Sequence, residues 1–151
     1  MKRILIIAAT AIVLFASGSL YAQPATTKMA AAEEPTVANV LKWTKETLPK
    51  MERLVPKLEK IKANNTGKPH TDAIRLLATV NHLKEINAKG AKLKAAEARR
   101  YFDLVAATVN VFYIDCQSHH GTVCCSDCIN HGILGIWCLT NCFVAEFPGI
   151  D

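Results

Sequence analysis

All six cysteines lie between Cys116 and Cys142, so one short segment carries every crosslink this chain can make. Residues 116–151 hold six cysteines in 36 positions, about 17 %, which is the density of a disulfide scaffold. That segment contains Asp127, Glu146 and Asp151 and no Lys or Arg, whereas residues 23–115 contain 16 basic and 10 acidic side chains and no cysteine. The net charge of +5 therefore averages a basic part and an acidic part. A nucleic-acid binder would concentrate basic charge on one reading surface and add a recognisable motif, so the split disfavours that class. Half of the 151 residues are apolar, which suits one folded core and argues against a disordered chain.

The first 22 residues read as an address. Lys2-Arg3 is a positive n-region, Ile4 to Phe15 is an apolar run interrupted by Thr10, and Leu20-Tyr21-Ala22 ends in a small residue before Gln23-Pro24. This is the grammar of a secretory signal peptide cleaved near Ala22. The competing reading is an uncleaved anchor, since Ile4–Ala22 approaches the length that spans a bilayer. Export places the chain outside the cell or in the periplasm and envelope, where cysteines pair. The cysteine-rich tail and the leader thus point to the same compartment.

Residues 23–35 read as a flexible leader. From Thr36, Val37, Val40, Leu41, Leu48, Met51, Leu54, Val55, Leu58 and Ile61 follow helical spacing, with lysines of residues 42–62 on the opposite, solvated face. Pro49 and Pro56 interrupt the pattern and predict a kinked helix or two short ones. Asn64-Asn65-Thr66-Gly67-Lys68-Pro69 is a stop and a loop, with a glycosylation sequon at Asn64 that has meaning only on a eukaryotic secretory route. Thr71-Asp72 is placed to cap a second helix through about Lys89, with Ile74, Leu77, Val80, Leu83 and Ile86 inside and Gly90 as its stop. A third helix is expected from about Lys92 to Ile114, with Ala98, Tyr101, Val105, Thr108 and Phe112 on its stripe, supported by Leu104, Val109 and Val111. No strand-length alternation occurs in residues 36–114, so the fold class is all-α: about three amphipathic helices followed by a C-terminal disulfide-stapled helical hairpin. The expected divisions are 1–22, 23–35, 36–115 and 116–151.

In the last segment, Cys116-Gln-Ser-His-His-Gly-Thr-Val reads as a loop. Cys124 with Cys128, and Cys138 with Cys142, form two CxxxC pairs, and i, i+4 spacing puts each pair on one helix face. Gly132 and Gly135 between them suit a reversal, which makes the helices antiparallel and lets Cys124 meet Cys142 and Cys128 meet Cys138. Cys116 and Cys125 are left for a third bond to the end of the third helix. Six cysteines allow 15 pairings, and a strained bond between adjacent Cys124 and Cys125 removes three of them, so the other connectivities stay open. One continuous helix without a reversal is the alternative to the hairpin. The CxxxC–x9–CxxxC arrangement of Cys124 to Cys142 resembles the α-hairpinin peptides, two short helices crosslinked by two disulfides. The resemblance implies a defence peptide, protease inhibitor or channel toxin; no Lys or Arg lies between the pairs, so a trypsin-directed loop is not implied.

Other constellations compete with plain disulfides. His119, His120, Cys125, Cys128 and His131 offer the sulfur and nitrogen ligands of a zinc or copper site, although export favours their oxidation. Cys125 with His131 or His120 would make a nucleophile and base, but no third orienting group accompanies them. Cys125-Ser-Asp-Cys128 has a thioredoxin-like spacing without the βαβ setting that chemistry uses. Ile133, Leu134, Ile136, Trp137 and Phe143 form an apolar surface that either packs on the three-helix part or faces a membrane or a partner. The charge split also allows the basic part to cover the acidic module as a pro-region, with Arg99-Arg100 as a processing site inside an expected helix. The expectation is an exported, non-enzymatic disulfide-rich protein of toxin, defence or binding type, with the cysteine module active and the helical part as scaffold or pro-region. The alternatives are an envelope metal-binding protein and a structural or interaction module. No cofactor and no small-molecule substrate is indicated, and the partner is an unidentified protein or membrane.

Overall fold

A computed structural model describes residues 35–119, 127–128, 131 and 134–150. The described residues are helical, with no strand among them, and the fold is all-α. Among the described residues, five helices follow one another: α1 (Val37–Glu52), α2 (Val55–Asn64), α3 (Lys68–Lys89), α4 (Ala95–His119) and α5 (Gly135–Ala145), with a 3₁₀ turn at Gly90–Lys92. Among the described residues, no helix is long and apolar enough to cross a membrane.

The first helical stretch divides into two helices, and of its two prolines it is Pro56 that stands at the break. Pro49 sits inside α1 and cannot donate to the carbonyl of Lys45, yet α1 continues to Glu52. Pro56 stands in the first turn of α2, where its missing N–H costs nothing. Thr36 caps α1 by accepting a hydrogen bond from Asn39 N at 3.2 Å.

The second expected helix begins earlier than its apparent cap. Pro69 is placed in the first turn of α3, so the helix starts at Lys68 behind Gly67, which has φ 66°. Thr71 and Asp72 therefore lie within α3, and the Thr71 hydroxyl donates back to the carbonyl of Gly67. Its buried stripe is also displaced. Ala73, Leu76, Val80, Leu83 and Ile86 are buried, whereas Ile74 is 45 % exposed. The expected row 74, 77, 80, 83, 86 advances by three each time, and each step falls about 60° short of a turn at 3.6 residues per turn. Such a row winds around the helix, so Ile74 at its start leaves the core while Leu77 packs at its edge.

The fourth helix runs on past Ile114 to His119, and residues expected as a loop after Cys116 continue it. Ala98, Val105, Val109, Phe112 and Cys116 are buried along one face, with Tyr101 at its edge. Leu104 and Val111, expected to support that stripe, instead point outward.

One core joins all five helices. Helix α3 packs on α1 and α2, α4 lies against α3 and α1, and α5 rests on α4 while touching α1 and α2. Met51, Leu58, Ile61, Leu76 and Ile136 are fully buried in it. Trp43 stacks tilted on Phe102 at 5.5 Å, and Phe143 meets Phe112 and Phe147 edge-on at 5.7 and 5.3 Å. Buried threonines satisfy their hydroxyls one turn back: Thr44 donates to the Val40 carbonyl and Thr140 to that of Ile136.

Candidate functional site: a sulfur cluster on the last helix

Helix α5 carries Cys138 and Cys142 one turn apart, so both sulfurs leave the same face. Cys128, in the short helical turn at 127–128, is brought against that face and is completely buried. Two hydrogen-bonded turns carry the chain between them, from His131 N to the Cys128 carbonyl and from Leu134 N to the His131 carbonyl. Gly135 makes the approach possible. A Cβ there would lie 2.3 Å from the Cys128 carbonyl oxygen, far inside contact distance. Its φ is not in the left-handed region, so what requires glycine here is the close approach to the Cys128 backbone. Gly132 lies outside the described residues.

Cys128 and Cys138 are joined in a disulfide with an S–S distance of 2.01 Å and Cα atoms 5.3 Å apart. Cys142 Sγ lies 3.9 Å from Cys128 Sγ, and the sulfurs of Cys128, Cys138 and Cys142 all fall within 4.8 Å of one another. Cys116 and Cys142 each belong to a further disulfide whose other half lies outside the described residues, and no cysteine among the described residues is free. The expected pairings Cys124–Cys142 and Cys116–Cys125 involve Cys124 and Cys125, which lie outside the described residues.

Two of the five residues in the metal set inferred from the sequence have described side chains. Of His119, His120, Cys125, Cys128 and His131, the structure describes Cys128 and His131 with their side chains; His120 and Cys125 lie outside, and His119 closes α4. Cys128 faces Cys138 and Cys142, whereas His131 is exposed, its ring 6.5 Å from that of Trp137. The Cys125–His131, Cys125–His120 and Cys125–Cys128 arrangements include residues outside the described ones.

The apolar surface of this segment turns inward. Ile136 is 0 % exposed and Phe143 is buried, so neither belongs to a face for a membrane or partner. The i, i+3, i+7 run of Ile136, Leu139 and Phe143 provides the stripe by which α5 docks on α4. Leu134 and Trp137 are half-buried, and Ile133 lies outside the described residues. Trp137 receives the Lys50 ammonium 4.6 Å from its ring centre, a cation–π contact between α1 and α5. Lys60 reaches the C-terminal segment and donates to the carbonyl of Ile150 at 3.2 Å.

Beside the sulfurs lies an open cavity of about 260 Å³, walled by Phe112, Leu139 and Phe143 and rimmed by Lys68, Asp115 and Glu146. Lys68 Nζ donates to Asp72 and to Asp115, both at 2.6 Å, and so ties the start of α3 to the end of α4. Burial pulls the Lys68 ammonium down, but its hydrogen bonds to Asp115 and Asp72 outweigh this and hold its pKa above the ordinary lysine value. Sequence reading missed this bridge because Lys68 and Asp115 are 47 residues apart. The local part, Lys68 and Asp72 at i, i+4, was visible once the helix start was placed at Lys68.

No protein-family model, curated protein or solved structure matches the chain.

Proposed function

We propose that this chain is an exported, oxidised, non-enzymatic binding protein in which the disulfide-tied α5 completes a helical scaffold. The observation that carries this reading is an outward apolar row on α4. Leu104, Val111 and Ile114 are 39, 37 and 60 % exposed, and Ala107 lies exposed among them. Their spacing of three, four and three residues keeps all four on one side of the helix. Ile74 on the neighbouring α3 adds a further exposed apolar side chain. Apolar side chains repeated on one helix face are the pattern by which helices dock on proteins.

The burial of Ile136, Leu139 and Phe143 supports reading the helical part as a scaffold for α5 and not as a removable pro-region. A released 116–151 fragment would carry that apolar stripe into water. The acidic, cysteine-rich tail and the signal-peptide grammar of residues 1–22 support export.

Two measurements test the proposal. Intact mass of the protein recovered from the producing cell, before and after alkylation, is expected to lack about 22 residues and to show no alkylated thiol. A photo-crosslinker at position 111 is expected to capture one discrete partner from the native secretory fraction, and Ile114→Asp is expected to abolish the capture. Equal capture from position 45, on the lysine face, or capture unaffected by Ile114→Asp would count against the α4 face.

A further inference from the structure

Three sulfurs converge here from two separate elements, and their spacing suits a second chemical state. A thiophilic ion bound at about 2.3 Å by three thiolates places those sulfurs roughly 4 Å apart. Cys128 Sγ and Cys142 Sγ are already 3.9 Å apart, and Cys138 Sγ is within 4.8 Å of both. The Cys128–Cys138 separation must lengthen, from 2.01 Å, and the Cα atoms at 5.3 Å leave this to side-chain rotation. Soft sulfur ligands select zinc, cadmium and cuprous copper over hard cations. We propose that, once reduced, this chain binds one thiophilic metal ion through Cys128, Cys138 and Cys142.

The site and the staple are alternative uses of the same atoms. Each disulfide accepts two electrons and two protons from a dithiol, which is itself oxidised to a disulfide. Reducing the Cys128–Cys138 bond and the bond held by Cys142 thus frees the three thiols. On binding a divalent ion these thiols release three protons as three metal–sulfur bonds form, which leaves a site of net charge −1 with a position open to water. Cys138 and Cys142 are held one turn apart by α5, and Cys128 is seated on that helix at Gly135, so the ligands come from a framework packed on the core. The metal set differs from the histidine-containing one suggested by sequence spacing, because it takes its second and third ligands from α5. Bound metal also blocks re-formation of the Cys128–Cys138 bond, so metal loading and oxidation exclude each other.

The test compares two full-length variants with equal numbers of cysteines. One carries Cys116→Ser, Cys124→Ser and Cys125→Ser, and the other carries Cys128→Ser, Cys138→Ser and Cys142→Ser. Both are reduced with a dithiol, which is then removed anaerobically, and titrated with cadmium and zinc ions. The first is expected to bind one cadmium ion with the ultraviolet absorbance of three Cd–S bonds, and the second to bind at least about tenfold more weakly, a difference of about 1.4 kcal/mol. Zinc is also expected to slow re-oxidation of the first variant in air. Far-ultraviolet circular dichroism on the same samples reports whether helices persist on reduction. Equal affinity in the two variants, or tighter binding by the second, overturns the proposal. So does a reduced first variant that neither binds cadmium nor recovers helicity with it.

Discussion

Replacing Gly135 with alanine should destabilise the protein, although the residue lies in a helix, where alanine is normally the better choice. The added Cβ would sit 2.3 Å from the Cys128 carbonyl oxygen and 3.3 Å from its carbon. These are backbone atoms, so no side-chain rotation relieves the overlap, and the turn at 127–128 must retreat by most of an ångström. Overpacking of this kind costs about 1–3 kcal/mol. Loss of glycine freedom in the unfolded chain returns about 0.4–1 kcal/mol. The balance is a loss of about 1–2 kcal/mol, or a fall in Tm of roughly 3–8 °C for a chain of this size. Thermal unfolding of the oxidised protein measures it. A double-mutant cycle with Cys128→Ala/Cys138→Ala is the sharper test. Without the disulfide the turn can move away from α5, so Gly135→Ala should cost much less. An oxidised Gly135→Ala protein as stable as its parent, or a cost that persists undiminished without the disulfide, would refute the close-approach explanation.

Three further outcomes follow from the same packing. The Cys128→Ala/Cys138→Ala pair removes a crosslink spanning 10 residues, and denaturant unfolding should show a loss of roughly 2–3 kcal/mol from loop closure alone. Ile136→Ala should cost about 2–5 kcal/mol by the same measurement, because Ile136 is fully buried where α5 meets the bundle; an effect under about 1 kcal/mol would mean that α5 is not part of the core. Glu97 accepts hydrogen bonds from Lys89 and from the backbone N–H of Lys94, which hold its carboxyl below the ordinary value of 4.5. Its stabilising contribution is therefore present above pH 4.5 and is lost as pH falls through the lowered folded-state value. The Tm difference between the parent and Glu97→Gln should shrink toward zero on acidification; a difference that grew would contradict this assignment.

Helix type and approximate helix positions were legible because they depend on local periodicity. The 3.6-residue spacing located α1 to α4, Pro56 marked the break between α1 and α2, and Gly90, with φ 48°, ends α3 where expected. Faces were less legible than helices. Ile74, Leu104 and Val111 are as apolar as their buried neighbours, and only the arrangement of the partner helices leaves them outside. The helix start at Lys68 was hidden by competing signals: Thr71-Asp72 looks like a cap, but Pro69 is already a first-turn residue. At the site, i, i+4 spacing put Cys138 and Cys142 on one face, yet nothing local reveals that Gly135 would receive the Cys128 carbonyl. That contact joins two backbones, and its only sequence trace is the missing side chain.

The charge split that first set the cysteine segment apart takes a different meaning once the helices are packed. Basic α1 and α2 do not form only a solvated face, because Lys50 lies over Trp137 and Lys60 donates to the Ile150 carbonyl. Yet α5 is held mainly by Ile136, Leu139, Phe143 and Val144 in the common core. Exposed cation–π and single hydrogen-bond contacts are each worth about 0.5–1.5 kcal/mol, whereas one buried aliphatic or aromatic side chain contributes about 1.5–3 kcal/mol. Four such side chains outweigh two lysine contacts by several fold. Burial therefore sets the position of α5, and the lysines refine it. Raised salt, which screens charge and leaves apolar burial intact, should accordingly leave α5 docked, with unchanged Trp137 fluorescence as the readout; a salt-induced red shift confined to Trp137 would mean that charge holds the junction.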